Sequence, residues 1–300
     1  MNSTVDNDIK KYTTFKIGGR AKALHLPKNK DEFLELLPSS EVQPIILGGG
    51  SNVLVSSIGV EEDVIITSKL VDFSFADNIV TVSCGTKAQK LSREAQLRGL
   101  SGFEFMIGIP GTLGGLVYMN AGAHNQSVSE HFVSAEIFDL ETQKIITLNK
   151  DEMNFSYRHS VLREKSYVLL SAKFELKSEA QEKIDNIVQR NIDFRKQHQP
   201  SLAEPNAGSV FKNPQNDSAG RLLDLAGVKS LSSGGACVYE KHANFIINKN
   251  NATSEDVSQL MLNMRSLVQT KYNICLKPEI KFIGIKSEKE QRIWAELLSN

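Results

Sequence analysis

At 300 residues, with 40% hydrophobic and 23% charged side chains, the chain has a globular composition and room for one large or two ordinary domains, which excludes a disordered or fibrous protein. Thirty-five basic and thirty-five acidic side chains cancel, so no global field draws in nucleic acid or an anionic membrane, and an anionic ligand has to be met by a local site. Cys84, Cys237 and Cys275 are widely spaced and form neither a CxxC pair nor a Cys/His pattern, which points to reduced thiols, no metal and a cytoplasmic home.

The N-terminal Met-Asn-Ser-Thr-Val-Asp-Asn-Asp has no signal-peptide character, and no apolar run approaches the roughly 18 residues of a membrane span, so a soluble protein is expected. Residues 1–10 read as polar and loosely held. A short strand follows over Ala21–Leu26, then a helix over Asp31–Leu37 closed by Pro38, then a buried strand Pro44–Leu47 running into Gly48-Gly49-Gly50-Ser51-Asn52. Val64–Thr67, Val71–Phe75 and Ile79–Cys84 are short β-rich pieces, and Lys87–Arg98 reads as a helix.

The stretch 108–123 holds five glycines and Asn120 in sixteen positions. Each Gly in place of Ala costs a helix up to about 1 kcal/mol, so such a run is kept where backbone approaches a ligand or takes a positive φ. We read it as a loop for phosphates or a cofactor, with Gly48–Asn52 as a second such loop. Neither contains a Walker A sequence or a GxGxxG opening a helix, which excludes the two familiar nucleotide motifs.

Strands are expected next at Val133–Leu140, Lys144–Leu148 and Tyr167–Leu176, and a charged helix at Glu179–Gln197 with Ile184, Ile187, Val188, Ile192 and Phe194 toward one side. Pro200, Pro205 and Gly208 mark a domain boundary over 198–208. Beyond it come a helix at Ala219–Ala226, a strand at Phe245–Asn248, a helix at Ser254–Lys271 and a strand at Pro278–Ile285. The tail 287–300, with Ile293, Trp294, Leu297 and Leu298, is either a docking helix or a frayed end. Many short strands with few helices make the fold class α+β.

Further positions carry possible chemistry. Arg158 and His159 lie in Tyr157-Arg158-His159-Ser160; Ser209 follows Gly208 at a sharp change of direction but lacks the GxSxG context of a hydrolase. Glu279 sits among apolar residues in Leu276–Ile280, either as a buried acid or as an edge-strand carboxylate facing water. Lys241–Phe245 is equally open and, without a Cys or second His nearby, is no metal site.

Taken in order, Thr13–Gly19, Leu47–Val55, Gly108–Ala123, Tyr157–Ser160, Ala207–Pro214, Ala219-Gly220, Gly234–Ala236, Lys241–Asn248 and Pro278-Glu279 resemble the UDP-N-acetylenolpyruvoylglucosamine reductase (MurB) family. The resemblance implies an FAD-binding domain of the vanillyl-alcohol-oxidase (PCMH) type in two lobes, residues 12–197 divided at about 69/70, a smaller α+β substrate-binding domain at 198–284, and a tail at 285–300. It implies non-covalent FAD held by Gly48, Gly49, Gly50, Ser51, Asn52, Pro110, Gly111, Thr112, Gly114, Gly115, Asn120 and Gly122.

NADPH is then the co-substrate and an enolpyruvyl UDP-sugar the substrate, with hydride passing from NADPH to FAD and from flavin N5 to C3, and a proton reaching C2. Arg158 and Glu279 are implied to stabilise the enolate, Ser209 to donate the proton, and Tyr157, Lys212 and Asn213 to contact the sugar nucleotide. The chain departs from the family pattern at His198, at Ala123-His124-Asn125 and at Tyr239. The expected partners are thus small molecules, with no nucleic acid, no membrane, and a monomer or weak oligomer. A flavin oxidase or dehydrogenase of the same superfamily, with His124 as a covalent attachment point, and a non-catalytic nucleotide-binding module are the alternatives.

Overall fold

The computed structural model describes residues 6–37 and 43–299. In chain order its elements begin with β1 Ala21–His25, α1 Lys30–Leu36, β2 Ile45–Leu47, β3 Val53–Val55, β4 Val60–Ile66, β5 Phe73–Ala76, β6 Ile79–Ser83 and α2 Ala88–Gln96. β7 Leu100–Ser101, α3 Leu113–Tyr118, β8 Gly122–Ala123, β9 Gln126–Ser127, β10 Phe132–Asp139, β11 Lys144–Asn149, β12 Tyr167–Glu175, β13 Lys177–Ser178 and α4 Gln181–His198 follow. The remainder is α5 Ala219–Ala226, β14 Ser232–Ser233, β15 Ala236–Val238, β16 Ile246–Asn248, α6 Ser254–Tyr272, β17 Lys281–Ile283 and α7 Glu288–Leu298. The mixture is α+β, as the spacing of short strands predicts. Pro38, read as the stop of α1, lies outside the described residues.

The chain forms two compact units: one takes in residues up to Leu24, Gly50–Asp63 and Lys196 onward, and the other His25–Gly49 and Val64–Arg195. The second unit is built on an antiparallel five-stranded sheet in the order β11-β10-β12-β6-β5. Strand alternation sends Val80 and Val82 of β6 inward. Helix α2 buries Ala88, Leu91, Ser92 and Ala95, the i, i+3, i+4, i+7 stripe of an amphipathic helix. Phe174 of β12 meets Phe103 and Phe132 edge to face at centroid distances of 5.2 and 5.7 Å, a geometry that adds about 0.5–1.5 kcal/mol per pair to burial alone. The latter half of β4 pairs in parallel with β2, Leu47 opposite Ile66, and so carries the chain to Gly48-Gly49.

In the first unit, α5, α6 and α7 share a core with the antiparallel β14-β15-β16 sheet. Helix α6 contributes Val257, Leu260, Met261, Met264 and Val268, each worth about 1.5–3 kcal/mol when fully buried. β17 pairs in parallel with β3, Lys281 opposite Val53, bringing the residues after Glu279 beside those after Asn52.

Two sequence expectations need revision or resolution. Residues 6–10 are held rather than loose: Asp8 caps a 3-10 turn over Ile9–Tyr12, and Ile9 is buried. The tail is a docked helix, since Ser287 and Glu290 form a capping box and Ile293, Trp294 and Leu297 enter the core. Trp294 Nε1 donates to Ser258 Oγ at 2.9 Å, and the buried Arg265 guanidinium donates to the Glu296 and Ser299 carbonyls that end α7.

Candidate functional site

The glycine-rich stretch is not one loop. Leu113, Leu116 and Val117 are buried at helical spacing and make residues 113–118 helix α3, while Pro110–Thr112 precede it with a bend at Gly111, whose φ is 121°. The helix start is fixed from outside by Leu113 N–H to Thr86 O (2.9 Å) and Gly114 N–H to Cys84 O (2.8 Å). Gly114 has a packing reason, because a Cβ there would come within 3.3 Å of Cys84. Gly122 lies in the β8–β9 hairpin, whose turn residues His124 and Asn125 both have positive φ (55° and 61°), the demand of a two-residue type I′ turn.

Gly48 and Gly49 approach this stretch from β2. A Cβ on Gly49 would stand 2.7 Å from Gly111 Cα, and one on Gly48 would collide with Thr112 Oγ1. The two glycine segments are therefore in backbone contact within one unit, which no spacing along the chain foretells. Thr112 Oγ1 is buried and makes no hydrogen bond among the described residues. Gly115, exposed on the first turn of α3, has no atom within 4 Å of where its Cβ would be.

A buried hydroxyl without a protein partner is costly, and a helical glycine without a steric reason is unusual. Both features suit a ligand lying against Gly48, Thr112 and Gly115, and the residues present fit a flavin dinucleotide.

The buried Asn120 amide donates to Ser156 O (3.0 Å) and accepts from Ser129 N–H (3.1 Å). It ties the end of α3 to the loop that carries Arg158. Ser160 Oγ makes a second tie to Tyr118 O at 2.9 Å. Within the loop, Ser156 and His159 exchange backbone hydrogen bonds, and His159 Nε2 meets Glu164 Oε1 at 2.7 Å.

Arg158 itself sits at φ 58°, a left-handed conformation that costs a non-glycine residue on the order of 1–3 kcal/mol unless the surroundings enforce it. Arg163 helps enforce it, donating from Nη1 to the Arg158 carbonyl, and the Arg158 guanidinium lies over the Tyr157 ring at 5.3 Å. Tyr157 is exposed. His124 packs its ring edge-on to Phe194 at 5.2 Å; burial first, and then the Arg190 charge, lowers its pKa.

The other unit holds Gly50, Ser51, Asn52, Ser209, Lys212, Asn213 and Glu279. Gly50, at φ 59°, has its Cβ position blocked by Tyr12 O. Gly208 has φ 74° and donates its N–H to Asn206 Oδ1 at 3.0 Å, an Asx turn that delivers Ser209, half-buried, onto extended backbone.

Val210 O accepts the Glu279 N–H at 2.8 Å and Lys212 N–H donates to Lys277 O at 2.9 Å, so Ser209 and Glu279 belong to adjacent hydrogen-bonded segments. Glu279 is half-buried, between the two alternatives read from its neighbours. Asn52 Nδ2 reaches the Glu279 carbonyl at 3.4 Å, and the Asn52 carbonyl accepts the Lys281 N–H at 3.1 Å. Asn213 Oδ1 accepts the Ala219 N–H at 3.0 Å, at the start of α5.

Sequence reading passed over Arg163 and left Asn244 undecided within Lys241–Phe245. Asn244 is buried and bonds the backbone of Phe211 on both its N–H and its C=O. An Asn between Ala243 and Phe245 is the signal that marks it, because a polar side chain in an apolar run is kept inside only when bonded.

Comparison with known proteins matches both regions. Residues 199–283 match the family described as UDP-N-acetylenolpyruvoylglucosamine reductase, C-terminal domain, and residues 21–149 match the family described as FAD binding domain. The UDP-N-acetylenolpyruvoylglucosamine reductase of Caldicellulosiruptor saccharolyticus is 42% identical, over 93% of this chain and 91% of that protein. The one from Caldanaerobacter subterraneus is 39% identical, over 94% of each. The crystal structure of UDP-N-acetylenolpyruvylglucosamine reductase (MurB) from Thermus caldophilus superposes with a TM-score of 0.79 at 32% identity, covering 92% of this chain and 97% of that one. Shared identity along nearly the full length establishes that the chain belongs to the UDP-N-acetylenolpyruvoylglucosamine reductase family.

Proposed function

We propose that the protein reduces UDP-N-acetyl-enolpyruvoylglucosamine to UDP-N-acetylmuramate with NADPH, a step of peptidoglycan precursor synthesis. FAD, bound non-covalently, supplies the hydride chemistry between the two substrates. Gly48, Gly49, Gly50, Gly111, Gly114 and Gly115 hold it; the open space at Gly115 gives it room, and Thr112 Oγ1 offers it a hydrogen bond. Ser51, Asn52, Pro110, Asn120 and Gly122 bind it with them. Residues 12–197 serve as the FAD-binding region, 198–284 as the substrate-binding domain and 285–300 as a tail.

Hydride arrival at C3 of the enolpyruvyl group leaves negative charge spread from C2 onto the carboxylate. Arg158 and Glu279 act on those oxygens, the guanidinium as a fixed cation and the carboxyl as a hydrogen-bonding group. Such preorganised donors contribute about 10²–10³ in rate each. Ser209 Oγ–H then delivers the proton to C2. A serine is a weak acid, and it works here because an enolate is a strong base. Tyr157, Lys212 and Asn213 contact the sugar nucleotide.

The observation that most supports this assignment is the Glu279 N–H bond to Val210 O, which holds the acid-bearing segment against the one that presents Ser209. The protein acts in the cytoplasm as a monomer or weak oligomer, with neither nucleic acid nor membrane as partner; among the described residues no helix is long and apolar enough to cross a bilayer.

Incubation of the FAD-loaded protein with NADPH and the enolpyruvyl sugar nucleotide tests the reading. NADPH consumption should depend on the second substrate and yield a product two hydrogens heavier by mass spectrometry. NADPH loss that continues at the same rate without the sugar nucleotide, or an unaltered sugar nucleotide, would refute it.

A further inference from the structure

We propose that Asn244 is a positioning residue for proton transfer from Ser209, its buried amide standing in for a missing β-strand and setting the register of the segment that presents the hydroxyl. The proposal rests on the assignment of Ser209 as the proton donor.

Residues 209–212 belong to none of the strands and bend at Val210; they are held by single bridges, Ser209 to Phe245 on one side and Phe211 to Pro278 on the other. On the Pro278 side the segment has the bonds from Glu279 N–H to Val210 O and from Lys212 N–H to Lys277 O. On the other side one residue satisfies three backbone groups of Val210 and Phe211. Asn244 O accepts the Val210 N–H at 2.9 Å. Its side-chain Oδ1 accepts the Phe211 N–H at 3.0 Å, and its Nδ2 donates to the Phe211 carbonyl at 2.8 Å. Asn244 is itself oriented by donation of its N–H to His242 Nδ1 at 3.2 Å, and it is only 3% exposed.

A short segment without a ladder is free to slip, and a slip of one residue turns every side chain to the opposite face. The amide fork of Asn matches the N–H and C=O of one residue, so it fixes Phe211 and with it the direction of Ser209 two residues earlier. Asp of the same size keeps the acceptor for Phe211 N–H but sets a second acceptor against the Phe211 carbonyl. Ala leaves both buried backbone groups without a partner.

The test uses the full chain loaded with FAD. Asn244→Ala and Asn244→Asp are each made alone and combined with Ser209→Ala, and two rates are followed anaerobically: flavin reduction by NADPH and flavin reoxidation by UDP-N-acetyl-enolpyruvoylglucosamine. Hydrogen exchange of the peptide covering residues 209–212 is measured on flavin-free protein.

The proposal predicts unchanged reduction and reoxidation slowed about 10- to 100-fold, the range for misplaced reacting groups. It also predicts no further slowing once Ser209 is already Ala, and faster exchange at Val210 and Phe211. If Asn244→Ala does not retain flavin, Asn244→Asp carries the cycle with the same expectations. Slowing that multiplies with that of Ser209→Ala, equal loss in both half-reactions, or reoxidation at the wild-type rate would overturn it. Should Ser209→Ala alone reoxidise normally, the assignment of Ser209 is what fails, a result distinct from any produced by the Asn244 variants in the unmodified background.

Discussion

Replacement of Gly115 by Ala separates a glycine kept for packing from one kept for a ligand. Gly115 is exposed on the first turn of α3, and nothing in the protein lies within 4 Å of its Cβ position. In the flavin-free protein the substitution should therefore stabilise the fold by up to about 1 kcal/mol, the helical preference of Ala over Gly, raising Tm by about 2 °C for a chain of this size. With FAD bound, the methyl group enters space that the reading gives to the cofactor. Overpacking by a methyl costs about 1–3 kcal/mol, which corresponds to roughly 5- to 150-fold weaker FAD binding.

Gly49→Ala provides the contrast. Its Cβ would stand 2.7 Å from Gly111 Cα, a backbone atom that cannot give way, so flavin-free stability should fall as well. Thermal unfolding of stripped protein and titration by quenching of FAD fluorescence measure both quantities. If Gly115→Ala binds FAD as tightly as the unmodified protein, α3 does not face the cofactor and the glycine clamp is wrong.

Other consequences follow from the same geometry. Ser209→Ala should leave flavin reduction by NADPH intact and slow reoxidation by about 10²–10⁴, the usual worth of a general acid; equal loss in both steps, followed by stopped-flow absorbance, would exclude the proton-donor role. Trp294→Ala should cost about 3–5 kcal/mol by chemical denaturation, since the indole is buried against Phe282 and bonded to Ser258 Oγ; a loss below 1 kcal/mol would mean that α7 is not part of the core.

His242 titrates below its ordinary value of 6.5, mainly through burial; a backbone hydrogen bond opposes the shift, His198 and Lys229 add to it, and Asp224 opposes it. Below pH 6.5 the unfolded chain takes up a proton that the folded one refuses, so this contribution to stability is full above that pH and declines as pH falls toward the folded value. His242→Gln should flatten the acid limb of a stability–pH curve, and an unchanged slope would contradict the assignment.

Local signals explain what was legible in the sequence. Helix α5 is read to the residue because Ser218 caps its start and Gly227, at φ 84°, ends it. The strands of the large sheet are read to within a residue or two from their alternation. Helix α3 is hidden by its own glycines: only the buried spacing of Leu113, Leu116 and Val117 makes it a helix, and Cys84 and Thr86 fix its start from another part of the chain.

β3 is likewise invisible until β17, more than two hundred residues later, pairs with it. The candidate site follows the same division. Its residue types can be named from motifs, whereas the left-handed Arg158 depends on Arg163 outside its motif, and the bonds of the Asn120 amide to Ser156 and of Asn244 to Phe211 join segments far apart along the chain. Tyr157-Arg158-His159-Ser160 gives no hint that Arg163 is what restrains the arginine.

In the proposed cycle one flavin is reduced by NADPH and then reoxidised by the enolpyruvyl sugar nucleotide, and an anaerobic stopped-flow record of the visible flavin absorbance follows both steps. Bleaching is expected when NADPH is added, and recovery of the oxidised spectrum when UDP-N-acetyl-enolpyruvoylglucosamine follows. A flavin that NADPH does not bleach, or a bleached flavin that the sugar nucleotide leaves reduced, would contradict it.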